Sequence, residues 1–193
     1  MLVLKKKNIF LVFLLVLFLN VGCQKKGEGE LAPFFDELYF KYKEGSIGNN
    51  YIIYSVKEID CEYEIIKEDA SPTFPGTTKY IVDFWGFIKK APAVTRTKRK
   101  WKKSKSWIGT RIGIWLPASE LQVGKKLTTS TIGKCRVEEK KTWEKWDVWV
   151  LKDGLGNEHY YDIKTGFWVG CNILSLAGGR KTILIDTNAD ISY

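Results

Sequence analysis

Hydrophobic and polar positions along this chain follow two regimes. Near the start, Lys5 to Lys7 precede an uncharged run from Ile9 to Leu19, which leads into small residues and Cys23. A positive flank, a short apolar run and a small-residue site read as an export signal, because a bilayer span needs about twenty apolar residues. Residues 24–32 are charged, glycine-containing and poor in apolar side chains, the pattern of a flexible tether. Beyond them the periods shorten. Phe35, Leu38, Tyr39 and Tyr42 fall at i, i+3, i+4 and i+7 after Pro33, which predicts an amphipathic helix over residues 33–44 capped by Gly45.

From residue 51 onward the pattern is β throughout. Runs rich in Ile, Val, Tyr and Trp at 51–58, 61–67, 79–88, 94–103, 107–116, 134–142, 146–151, 158–163, 167–176 and 181–186 predict strands. Asp153-Gly-Leu-Gly-Asn157 joins two of them as a hairpin loop, and Gly166 suits a positive φ in the following turn. Consecutive strands on short turns imply an antiparallel sheet. Trp146, Val148 and Val150 would share one face of their strand while Trp149 and Leu151 share the other, so part of the sheet is covered on both sides or curls around an interior. The expected fold is mainly β: a single antiparallel, strongly curved sheet or partly closed barrel, with the short helix against it.

Val21-Gly22-Cys23 resembles the lipobox of prokaryotic membrane lipoproteins, with Asn20 standing where that family has an apolar residue. The resemblance implies cleavage before Cys23 and a lipid on its sulfur; the other readings of the same segment are an uncleaved N-terminal helix and plain secretion. All three give a signal or anchor over 1–22, a tether over 23–32 and one β-rich extracytoplasmic domain over 33–193, which the first two hold at the outer face of the cell membrane. A second resemblance rests on Tyr160-Tyr161-Asp162-x-x-Thr165-Gly166 followed by Phe167-Trp168-Val169. This stretch is similar to a hairpin of uncharacterised exported β proteins of archaea and bacteria, and of the LolA/LolB-like half-barrel carriers. Those carriers imply a curved sheet around an apolar cavity for lipid.

Charge narrows the partners. The chain carries +9 at neutral pH; loss of Lys5–Lys7 with the leader brings this to +6. Outside the cytoplasm such a balance points to anionic lipid, acidic glycan or an acidic protein, with no nucleic acid expected. Residues 89–105 concentrate nine basic residues and no acid. Within them Lys98, Arg99, Lys100, Lys102 and Lys103, with Trp101, form a candidate anionic-surface site on an edge strand or protruding hairpin. Lysines on an edge also guard against aggregation, and Glu58, Asp60, Glu62 and Glu64 are available to neutralise some of them. Of eight tryptophans, Trp85, Trp115, Trp146, Trp149 and Trp168 are candidates to line a cavity, indole offering a large apolar face and one donor.

Catalytic and metal patterns are thin. The only histidine, His159, shares a strand face with Tyr161 and reads as a packed sheet residue. Asp186-Thr-Asn188-Ala-Asp190 opens like a calcium loop, but Ile191 stands where glycine is required. Cys61, Cys135 and Cys171 allow one bridge with three possible pairings. No cofactor, metal or enzymatic activity is expected. The sequence points instead to a membrane-anchored binding or carrier-like protein for an apolar or amphipathic ligand. The alternative is an envelope structural or interaction protein, docking on anionic lipid or a protein partner through the basic 89–105 hairpin.

Overall fold

A computed structural model describes residues 37–45, 50–60, 62–70, 75–96, 99–102, 107–174 and 179–191, with backbone alone at 96 and 99–102. All of these lie in one compact unit, Leu31–Tyr193. The leader and tether, Cys23, Cys61, Lys98, Lys103 and Lys105 lie outside the described residues.

Twelve strands build one open antiparallel sheet. The first six are β1 (Glu37–Glu44), β2 (Tyr51–Ile59), β3 (Glu62–Asp69), β4 (Gly76–Val82), β5 (Ala93–Arg96) and β6 (Arg99–Lys102). The second six are β7 (Lys126–Thr129), β8 (Gly133–Trp143), β9 (Trp146–Asp153), β10 (Glu158–Asp162), β11 (Trp168–Ile173) and β12 (Arg180–Thr187). The spatial order is β6-β5-β4-β3-β2-β1-β12-β11-β10-β9-β8-β7. Each half is thus a meander, and the two meanders join where β1 pairs with β12 in the middle of the sheet.

The expected helix over 33–44 is replaced, over its described part, by β1. Its burial alternates, with Leu38, Phe40 and Tyr42 inward and Glu37 and Tyr39 outward. Phe40 decides the matter: it is 1% exposed, whereas Tyr39, which a helical stripe would bury, is 36% exposed. Aromatic residues suit either element, and pairing on both edges, with β2 and β12, selects the strand.

Three other segments depart from expectation. The predicted strand at 94–103 is two short ones, β5 and β6, paired so that Trp101 stands opposite Val94. This hairpin has β6 as the outermost strand. The run at 79–88 ends as a strand at Val82; Asp83 then accepts hydrogen bonds from the amides of Trp85 (3.0 Å) and Phe87 (2.9 Å), making a tight turn. Strand β7 falls in a segment too polar to announce itself, since only Leu127 and Thr129 of its four residues are shielded from solvent.

The fifth departure matters most. Residues 107–116 form no strand but a strap, buried without interruption from Arg111 to Pro117. It touches three separated parts of the sheet. Ile112 donates to the carbonyl of Gly86 (2.8 Å), Ser130 to that of Arg111 (2.7 Å), and Trp168 to that of Ile114 (2.9 Å). The Tyr161 hydroxyl adds a bond to the Gly113 carbonyl (2.7 Å). Isolated bridges at Arg111 reach both Phe87 and Thr129, so one residue ties the β4 side to the β7 edge. Close approach requires glycine where the strap meets the β10–β11 turn. Gly166 has φ 72°, and a Cβ there would overlap the Leu116 carbonyl oxygen.

One large core cluster draws on both meanders and on Ile112, Ile114 and Trp115 of the strap. A second, smaller cluster of Leu116, Leu121, Cys135, Val137, Leu151 and Tyr161 covers another face of β8–β10. Val150 belongs to the first cluster and Leu151 to the second, so adjacent residues of β9 are buried on opposite faces, as the sequence pattern predicts.

Candidate ligand cavity

Between the two meanders lies a cavity of about 370 Å³. Alternation builds most of its wall. Ile52 and Tyr54 share a face of β2, Tyr80 stands on β4, Cys171 and Ile173 on β11, and Thr182 on β12. The strap contributes Gly113 and Ile114, and the β7–β8 turn contributes Ser130 to Ile132. Trp168 and His159 complete the wall, while the charged residues Glu44, Lys67 and Arg180 belong to strand ends.

The inner wall is uncharged at neutral pH. Burial holds the Tyr54 phenol well above its ordinary range and pushes that of Tyr80 up to about 12. Burial raises the Cys171 thiol, and it lowers His159 despite the opposing pull of Asp153. Arg180 pairs with Glu44, and Lys67 pairs with Asp69 at 2.7 Å. A wall that mixes apolar and aromatic side chains with polar and charged ones suits an amphipathic ligand.

Two wall residues carry unsatisfied polar atoms. Trp168 Nε1 and His159 Nδ1 are buried with no hydrogen-bond partner. The other histidine nitrogen, Nε2, lies 3.5 Å from Asp153 Oδ2. With Nε2 carrying the proton toward that carboxylate, Nδ1 is an acceptor, and the Trp168 indole is a donor. Buried groups of this kind are normally satisfied; Arg111, Trp115 and Trp146, outside the cavity wall, carry unsatisfied atoms of the same kind.

Of the five tryptophans expected to line a cavity, Trp168 borders this one. Trp115 sits in the core, edge-on to Tyr63 with centroids 6.1 Å apart. Trp146 stacks with Trp143 at 5.9 Å, and Trp143 in turn stacks on Tyr160 at 4.1 Å. Trp149 lies under Lys140, whose ammonium is 4.3 Å from the ring centroid, and Trp85 is exposed in its turn. Tyr54, Tyr80, Ile114, Cys171 and Thr182 line the cavity without having stood out in the sequence. Alternation in β2 and β4 marks their faces as inward, but nothing local distinguishes a cavity wall from a filled core.

The basic stretch is placed only in part. Arg99, Lys100, Trp101 and Lys102 form β6, while Lys98 and Lys103 lie outside the described residues. Of the acidic run, Glu62 stands 3.7 Å from Lys90 of this stretch, whereas Glu64 pairs with Lys79 outside it. Cys135 and Cys171 are buried free thiols, which leaves none of the three cysteine pairings formed. The Cys135 thiol is pushed up to about 11 by burial. Among the described residues no cluster of three or more His, Cys, Asp or Glu side chains is placed to hold a metal ion.

No protein-family model matches the sequence, and no curated protein matches it at a significant level. The lipobox-like and LolA/LolB-like readings therefore rest on the residues that suggested them.

Proposed function

We propose that this chain is a non-enzymatic binding or carrier-like protein, held at the extracytoplasmic face of a membrane through Cys23 or an uncleaved leader. It takes an amphipathic small molecule into the cavity between its meanders. The sheet then acts as a half-barrel, curved around the strap, with the cavity on its concave side. The cavity wall carries this reading: about 370 Å³ in which Ile52, Tyr54, Tyr80, Ile114 and Trp168 stand beside polar and charged groups such as Thr182, Glu44 and Arg180. A volume in the range of about 300–1,000 Å³ is typical of small-molecule sites. The apolar body of the ligand lies against Tyr54, Tyr80 and Ile114, and its polar group faces Trp168 and His159.

The test is mass spectrometry of the full chain isolated from its native membranes, intact and after organic extraction. The expected result is a lipid-sized increment on a chain beginning at Cys23, plus a co-purifying amphiphile that an Ile132→Trp variant, which fills the cavity, no longer carries. Protein that is always empty and indifferent to Ile132→Trp overturns the carrier reading. The bet then moves to a docking protein that uses the basic outermost strand β6.

A further inference from the structure

Away from the cavity, the β7 edge carries an arrangement that sheets normally avoid. Lys126 of β7 stands directly opposite Arg136 of β8, and Arg136 directly opposite Lys152 of β9. Three cations thus form one cross-strand row on a single face, with neighbours about 5 Å apart. Lys134, opposite Thr128, stands in the adjacent row. All four side chains are exposed, and all four line a shallow groove of about 300 Å³.

Like charges directly opposite one another destabilise a sheet. The acids nearby discharge the row only in part. Asp153 shares the groove, but its oxygens are taken by its own loop: Oδ1 by the amides of Leu155 (2.8 Å) and Asn157 (3.0 Å), Oδ2 by the Asn157 side chain (2.8 Å). Glu158 pairs with Lys152 through Oε1 (3.4 Å), while its Oε2 holds the Tyr160 hydroxyl (2.7 Å) and Lys141 (3.0 Å). Glu138 reaches Arg136 only at 3.8 Å. Among the described residues Lys126 and Lys134 have no ion-pair partner. Protection of an open sheet edge accounts for Lys126 on the outermost strand, but not for Arg136 and Lys152 on strands that are paired on both sides.

We propose that the Lys126–Arg136–Lys152 row is a binding site for a phosphate ester. One phosphate group presents several charged oxygens, which a guanidinium grips in a planar fork while flanking ammonium groups add point charge. Filling the groove relieves the repulsion that the empty row stores, so ligand binding and fold stability are coupled here.

The experiment uses the full chain in neutral maltoside micelles at constant ionic strength. Inorganic phosphate and glycerol phosphate are titrated in one arm; the micelles are doped with phosphatidylglycerol in the other. Thermal unfolding and calorimetry are read in both. The wild type is expected to unfold at rising temperature with dose. The triple variant Lys126→Gln, Arg136→Gln, Lys152→Gln should need at least tenfold more ligand for the same rise, while unfolding without ligand no earlier than the wild type. The triple Lys43→Gln, Lys57→Gln, Lys89→Gln removes equal charge elsewhere and should respond as the wild type does. A response to doped micelles alone assigns the phosphate to a lipid head group, and a response to the soluble esters assigns it to phosphate itself. A wild type that responds in neither arm, or equal weakening in both triples, overturns the site.

Discussion

The two meanders use one sheet in different ways. In β2 and β3 burial alternates strictly over the first six and four residues, with Tyr54, Val56, Tyr63 and Ile65 inward and their neighbours toward solvent. In β10 four consecutive residues, from His159 to Asp162, are buried, and β9 buries both Val150 and Leu151. The first half is a one-sided sheet. The second is covered on both sides, by the strap cluster on one face and by the Trp143–Tyr160 stack on the other. A buried row on each face makes strands read as near-continuous apolar runs. The difference teaches that the strap, more than the strands, decides which half is rigidly specified.

Two glycines sharpen that contrast most. Gly45 and Gly166 both have φ 72°, but a Cβ at Gly45 meets nothing, whereas at Gly166 it strikes the strap. Gly45→Ala is expected to cost about 1–2 kcal/mol from left-handed strain alone. Gly166→Ala should add overpacking to that strain and reach about 3–5 kcal/mol by urea unfolding. Equal losses in the two variants would mean that the strap does not press on the β10–β11 turn. Smaller effects separate the strand faces. Leu151→Ala is expected to cost about 2–5 kcal/mol, while Ile53→Ala, on the half-exposed face of β2, costs about 1. Comparable values would erase the distinction between the halves.

The smallest effect is a pH dependence. Burial lowers the His159 pKa below its ordinary 6.5, with Asp153 opposing. The unfolded chain therefore binds a proton more readily than the fold does. The stability tied to this group is complete above about pH 6.5 and declines as pH falls through 6 toward the lower folded value. His159→Gln should flatten the unfolding free energy between pH 7 and 5. Below that window Asp153 and Glu158, whose carboxyls are held down by hydrogen bonds, add a second loss of stability near and below pH 4. A wild-type curve already flat from pH 7 to 5 would show His159 to be solvated.

Local chemistry was legible in the sequence, and distant contact was not. The Asp153–Asn157 loop, the positive φ of Gly166 and the two buried faces of β9 follow from residues close to one another. Asp162 receives the Thr165 amide (2.7 Å) and hydroxyl (2.6 Å), as turn chemistry predicts. β1 departs from expectation for one reason: four aromatic or aliphatic residues satisfy helical spacing, and pairing with β2 on one edge and with the distant β12 on the other buries Phe40 instead of Tyr39. The strap was misread for the same reason. Its apolar residues look like a strand, but its partners come from three elements. The cavity was hidden because Tyr54 and Tyr80 reach it across the sheet from His159 and Cys171.

The strand order carries one more consequence. Every pairing in the sheet joins strands consecutive in the chain, except that of β1 with β12. During synthesis β1 is made before the other described strands and its second partner, β12, after them. Until β12 emerges, Phe40 and Tyr42 lie on a strand with an open edge, available to other chains. The fold is therefore completed at its centre rather than at its rim. A circular permutant that joins 191 to 37 and opens between β6 and β7 would turn the whole sheet into one uninterrupted meander. It would fold without waiting for its last strand.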